Sequence, residues 1–147
     1  MKEMSKEEVY SFLMSGTLTG KISTASKDGR PHVAPIWFTL DNDDSNMSII
    51  FTTHHNTLKA KHMVRDSRIS LCVDDQTPPF SFVIVDGKVE IDQEPDLNEL
   101  LKWTTKIAGR YMGQANAESY GKRNAVKGEL LVRLRPIKII AQKDIAG

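Results

Sequence analysis

Cys72 is the single cysteine among 147 residues, which leaves no internal disulfide and no thiolate metal cluster. Excess charge is missing too. Twenty basic against 19 acidic residues give a formal net charge of +1, so there is no electrostatic case for a nucleic acid or a membrane surface. No apolar run approaches the ~20 residues that span a bilayer, and the stretch from Met1 to Glu8 lacks the apolar core of a signal peptide. A cytoplasmic protein is the expectation. There is no Gly-x-Ser-x-Gly, no phosphate-binding Gly-rich loop and no His-Glu-x-x-His, so hydrolase, NTPase and zinc-protease chemistries have no support. His54 and His55 are adjacent; in an extended segment their rings would point opposite ways, with no third ligand at metal spacing, so no metal is expected. Internal repeats, low-complexity tracts and linkers are absent as well.

What is present fits one globular domain spanning residues 1–147, with 39% hydrophobic and 27% charged residues. Ser5-Lys6-Glu7-Glu8 is a capping box that opens a helix with Val9, Phe12 and Leu13 on one face and Gly16 as its stop. Lys21 to Ser26 reads as a strand leading into an Asp28-Gly29 hairpin turn, and Val33 to Leu40 as the returning strand. A polar turn, Asp41 to Ser45, leads into a strand over Ser48 to Thr52. Asn56 or Thr57 is a suitable N-cap for a helix running through Arg65. Arg68 to Asp74 alternates Ile69, Leu71 and Val73 with Ser70 and Cys72, a half-buried strand in which Cys72 is inert core.

Phe80 to Val85, Asp86-Gly87 and Lys88 to Ile91 read as a second hairpin. Leu97, Leu100, Leu101, Thr104, Ala108 and Tyr111 recur at helical spacing. The polar segment from Gln114 to Lys127 gives little signal beyond a short helix. Two final strands, Glu129 to Leu134 and Ile137 to Ala141, flank Pro136. Six or seven short strands and three helices predict a mainly β (α+β) fold: an antiparallel barrel with peripheral helices. Trp37, Phe80, Phe82 and Val83 are expected on its surface, covered by a second copy of the chain.

The candidate site lies between Gly29 and Arg65. A helix start offers unpaired backbone N–H groups, and Lys59 and Lys61 place ammonium groups beside it, which makes a seat for a phosphate. The alternative is two solvated lysines. Thr52 and Thr53 end the strand that feeds this seat, and alternation turns one hydroxyl toward it. Proline at position 35 interrupts the sheet ladder along Pro35, Ile36, Trp37 and Phe38, freeing backbone groups to bond a planar heterocycle. Trp37, Phe80 and Phe82 read equally as interface packing.

The run from Asp28 to Phe38 resembles the second-strand signature of the split β-barrel flavin-binding proteins of the pyridoxamine 5′-phosphate oxidase-like superfamily. Lys59 to Arg68 resembles that family's lysine-rich helix and the strand after it. Phe80 to Gly87 is similar to its next hairpin, and Arg110-Tyr111-Met112-Gly113 to its Arg-Tyr-x-Gly signature. The likeness covers roughly residues 8 to 141. It implies a split antiparallel, Greek-key β-barrel and a homodimer whose two cofactor sites are each built from both subunits.

In that likeness Pro35, Ile36, Trp37, Phe38, Thr52, Thr53, Asn56, Lys59, Lys61, Phe80 and Phe82 are the cofactor-binding candidates. The Pro-x-Trp-Phe form and the compact length resemble the branch that uses the deazaflavin coenzyme F420 more than the FMN branch. His62 departs from the family pattern, which commonly has asparagine there. The chain does not end on Arg-Leu-x-Pro, as true pyridoxamine phosphate oxidases do, which argues against vitamin B6 as substrate. The implied activity is hydride transfer from reduced F420 to an unsaturated small organic acceptor. The alternatives are an FMN-binding flavin reductase or oxidase and a non-catalytic flavin carrier. No side chain is marked as the proton donor; solvent and Tyr111 are the candidates.

Overall fold

The computed structural model describes residues 1–43 and 46–147. Two residues, Trp37 and Phe38, explain the architecture. They join β3 (Pro31–Ile36) to β4 (Thr39–Asp43), yet these two strands lie at opposite ends of the sheet, whose order is β3-β2-β6-β7-β8-β5-β4. A two-residue link cannot span an open sheet of that width, so the sheet curls until its ends meet. The result is a split antiparallel β-barrel, parted where β3 passes into β4.

The single strand expected over Val33 to Leu40 is therefore two. Its first half pairs β2 (Gly20–Ala25), Ile36 opposite Gly20, and its second half pairs β5 (Asn46–His54), Thr39 opposite Ile50. Of the polar turn expected at Asp41 to Ser45, Asp41 to Asp43 are strand instead, Asp43 pairing Asn46; positions 44 and 45 lie outside the described residues.

The other elements follow from local chemistry. The Ser5–Glu8 capping box forms at both hydrogen bonds, 3.0 and 3.2 Å, and opens α1 (Lys6–Leu13); β1 (Lys2–Glu3) precedes it and pairs β8. Thr57, one of the two expected caps, accepts the Ala60 N–H and starts α2 (Leu58–Arg65). In β6 (Arg68–Asp75) Ile69, Leu71 and Val73 face inward as alternation requires. Asp96 caps α3 (Leu97–Met112), and the polar segment after it folds as a 3-10 turn (Gln114–Asn116) and α4 (Ala117–Asn124), so there are four α-helices rather than three among the described residues.

Two expectations fail in the sheet itself. The hairpin read at Asp86-Gly87 does not exist: β7 is one strand, Ser81–Asp92, carrying a bulge between Asp86 and Gly87. The two strands around Pro136 are likewise one, β8 (Glu129–Lys143). These errors share a cause. Pro136 sits opposite Gly87 at the register shift, and a Cβ on Gly87 would collide with the Arg135 carbonyl. Glycine here admits a neighbouring backbone, and the bulge accommodates a proline with no N–H to give the ladder.

Inside the barrel, Ile22, Phe38, Leu40, Phe51, Leu71, Val83, Val85 and Val132 pack with Val9 and Leu13 of α1 and Met63 of α2. Val83 was expected on the surface but is fully buried; its neighbours Phe82 and Ile84 face outward. No helix among the described residues is long and apolar enough to cross a membrane.

Candidate functional site

The sequence-predicted residues fall into three patches of the chain. At the β5–α2 junction stand Thr52, Thr53, Asn56, Lys59 and Lys61. Thr53 is buried and bonds the Thr57 hydroxyl at 3.0 Å, so alternation leaves Thr52 on the opposite, partly open face. His54 Nδ1 bonds Asn56 Oδ1 at 2.7 Å, and the His55 N–H donates to the Gly128 carbonyl at 2.9 Å. The His54 and His55 rings approach to 4.5 Å rather than pointing apart, because the strand ends at His54 and the chain turns. Among the described residues no group of three or more His, Cys, Asp or Glu side chains is placed to hold a metal.

Lys59 is half-buried and Lys61 exposed, both in the first turn of α2. Thr57 takes the Ala60 N–H, so a phosphate would find the N–H groups of Leu58 and Lys59, the Thr52 hydroxyl and the two ammonium groups there. The donor set fits such a group. His62, which breaks the family pattern, is a structural residue: buried, bonded through Nδ1 to the Thr24 hydroxyl at 2.8 Å, and edge-on to His32 at 5.6 Å. With the Arg65–Ala25 carbonyl bond of 2.6 Å, it pins α2 to the β2–β3 hairpin.

One residue of this patch escaped the sequence reading. Glu129 opens β8 directly opposite His54, on the face that carries Thr52. Burial pushes its carboxyl above the usual range, while a hydrogen bond with Thr52 and the charges of His54 and Lys59 pull it partly back. The only sequence signal was an acidic residue at the head of a predicted strand, and nothing local tied it to Thr52.

The second patch is the barrel split. Phe38 is fully buried and Ile36 nearly so, whereas Pro35 and Trp37 stay exposed. Trp37 stacks on Tyr111 at 5.0 Å and 7° and remains 40% exposed. Tyr111 donates to the Leu18 carbonyl at 2.8 Å and accepts the Phe38 N–H at 3.3 Å. Arg110 donates to the carbonyls of Leu13, Gly16 and Phe38 at 2.7, 3.0 and 2.9 Å. The Arg-Tyr-x-Gly signature thus clasps the link between β3 and β4. Burial lowers the Arg110 pKa and raises that of Tyr111.

The third patch is Phe80 and Phe82, at the head of β7 and three strands from β3. Phe80 has a positive φ of 64° and is 39% exposed; its carbonyl accepts the Ile145 N–H at 3.1 Å. Cys72 is only partly buried rather than core, with its thiol pKa raised by burial and then by Asp74. A groove of about 890 Å³ lies elsewhere, between α1 and the Pro136–Gln142 part of β8, and is lined by none of the predicted residues. An Arg-Leu-x-Pro run does occur, Arg133 to Pro136, but inside β8, where Arg133 pairs with Asp41 at 2.7 Å.

No curated protein matches the chain. A conserved hypothetical protein of Mycobacterium tuberculosis, Rv2991, shares the fold at a TM-score of 0.78 and 23% identity, over 100% of this chain and 94% of that one. An F420 reductase superposes at 0.64 with 24% identity, covering 88% and 94%. A FAD-binding protein of Mesorhizobium loti superposes at 0.65 with 19% identity, covering 95% and 93%. The family model for pyridoxamine 5′-phosphate oxidase matches residues 6–142. With the split barrel, the clasped link and the lysine-bearing helix all inside that span, the chain belongs to the pyridoxamine 5′-phosphate oxidase family.

Proposed function

We propose that the chain is one protomer of a homodimeric reductase that binds a deazaflavin of the coenzyme F420 type and delivers hydride to an unsaturated small organic acceptor. The observation that carries this reading is the β5–α2 junction, where Thr52 and half-buried Lys59 meet the start of a helix held rigidly by His62 and Arg65. The fold likeness to an F420 reductase supports the deazaflavin. The cofactor supplies the hydride; the chain supplies position and a dry pocket. Lys59 and Lys61 hold the phosphate, and Pro35 with Trp37 flanks the ring. Phe80 and Phe82 reach the site from the second subunit. A flavin such as FMN is the second reading, supported by the likeness to a FAD-binding protein.

Titration of the purified protein with F420 and with FMN, followed by fluorescence, separates the two readings. The K59A/K61A variant should lose a few kcal/mol of cofactor binding, since each charge-assisted contact is worth roughly 1.5–3 kcal/mol. Unchanged titration curves in that variant would remove the phosphate seat from Lys59 and Lys61. A carrier role requires that bound, reduced cofactor is reoxidised by no acceptor tested.

A further inference from the structure

The phosphate seat contains a carboxylate. Glu129 stands opposite His54 in the β5–β8 ladder, on the face that carries Thr52. Gly128 before it, at φ +92°, is packed so tightly that a Cβ there would lie 2.7 Å from His54 Nε2 and 2.9 Å from the His55 ring. The His55–Gly128 backbone bond locks the same turn. The turn that leads into Glu129 is thereby held against the end of β5.

We propose that Glu129 is a specificity-determining residue of the cofactor site: it disfavours a phosphomonoester and admits a phosphodiester. This rests on the cofactor reading above. A phosphomonoester such as that of FMN carries close to two negative charges above about pH 6, whereas the phosphodiester of F420 carries one. Thr52 cannot give its single hydroxyl proton both to Glu129 and to a phosphate oxygen. A ligand that presents a tail hydroxyl to the carboxylate and a singly charged phosphate to Lys59 satisfies every group. A dianion does not. The charged groups facing Glu129 are His54 from β5 and Lys59 from α2. Burial raises the Glu129 pKa first, and Thr52, His54 and Lys59 oppose that rise, so the carboxylate gains its charge as pH rises.

The test is the affinity of FMN and of F420, measured by fluorescence titration at pH 5 and pH 8, for the unaltered protein and for E129Q, which keeps the shape and a hydrogen bond to Thr52. The expected result is that E129Q tightens FMN about tenfold at pH 8, less than threefold at pH 5, and changes F420 by less than threefold at either. An equal effect on both ligands, or none on FMN at pH 8, overturns the proposal. K59A/K61A separates this from failure of the site. If that variant loses both cofactors while E129Q is silent, the site stands and the selectivity role falls. If that variant also binds both unchanged, the site and the role fall together. Melting curves of E129Q, expected no lower than those of the unaltered protein, exclude misfolding as the source of any change.

Discussion

Tyr111 shows how a residue suited to chemistry is committed to architecture instead. Its hydroxyl both donates to Leu18 and accepts from Phe38, and its ring covers Trp37. With burial raising its pKa, the group neither ionises easily nor has a spare proton to deliver. Y111F should therefore cost about 1–2 kcal/mol of stability in urea denaturation, while any hydride-transfer rate changes little; a large rate loss at unchanged stability would restore Tyr111 as the acid.

Glu129 shifts in the opposite sense to Glu8, Asp28 and Glu118. Its folded pKa lies above the unfolded value, so its contribution to stability is full below the unfolded pKa of about 4.3 and is lost as pH rises through the folded one. Glu8, Asp28 and Glu118 are lowered, chiefly by side-chain hydrogen bonds from Lys143, Ser26 and Lys122 respectively, and their contribution disappears as pH falls. In E129Q the decline in stability between pH 4.5 and neutrality should flatten, with the acid limb unchanged, as read from denaturant midpoints across pH. An unaltered slope in that window would show that Glu129 ionises as freely in the folded chain as in the unfolded one.

Two Asp-Gly pairs, identical as dipeptides, adopt different structures at the scale of the element. Gly29 has a φ of +86° and open space where a Cβ would be, which suits a turn. Gly87 has no such φ and lies against the Arg135 carbonyl, in the middle of a 12-residue strand. What distinguishes them is a strand nearly fifty residues later, so no local pattern could separate them. G87A should destabilise the fold by about 3 kcal/mol through a clash with backbone that has no rotamer to move, whereas G29A should cost only the strain of a positive φ, about 1 kcal/mol. Equal losses in urea midpoints would contradict the bulge.

The same reasoning marks what was legible elsewhere. The period-2 burial of β6, the Ser5 capping box and the Thr57 cap depend on neighbours within a few residues, and all were readable. The break at Trp37–Phe38 was not, because it arises from barrel closure and a clasp by Arg110 some 70 residues away. At the candidate site, the place of Lys59 and Thr52 beside the start of α2 could be read from the order of strand and helix, and that of Glu129 could not, since only the β5–β8 register brings it there.

At the scale of the whole molecule, the outward residues of successive strands line up into one surface. Val33 and Pro35 of β3 pair with Ser23 and Lys21 of β2; Lys21 meets Cys72 of β6; Cys72 meets Ile84 of β7; Ile84 meets Ile140 of β8. Val33 is 65% exposed and Ile140 37%, with Trp37 and Phe80 near 40% at its margins. We expect a second copy to cover this mixed surface, which crosses five strands and holds the Lys21–Asp74 ion pair at 2.7 Å; a stable dimer buries roughly 800 Å² per partner. A second copy covering it would carry Phe80 and Phe82 toward the Trp37 patch, joining groups that one protomer keeps three strands apart. Val33 makes the cleanest probe, because so exposed a side chain contributes little to the protomer's own core. The unaltered protein should sediment at twice the mass of one chain. V33D should sediment as a single chain with its circular dichroism preserved, and should lose cofactor affinity along with its partner, because the ring pocket is then open on one side. A V33D monomer that still binds cofactor at full strength would place the whole site within one subunit, and a single-chain mass for the unaltered protein would remove the second copy altogether.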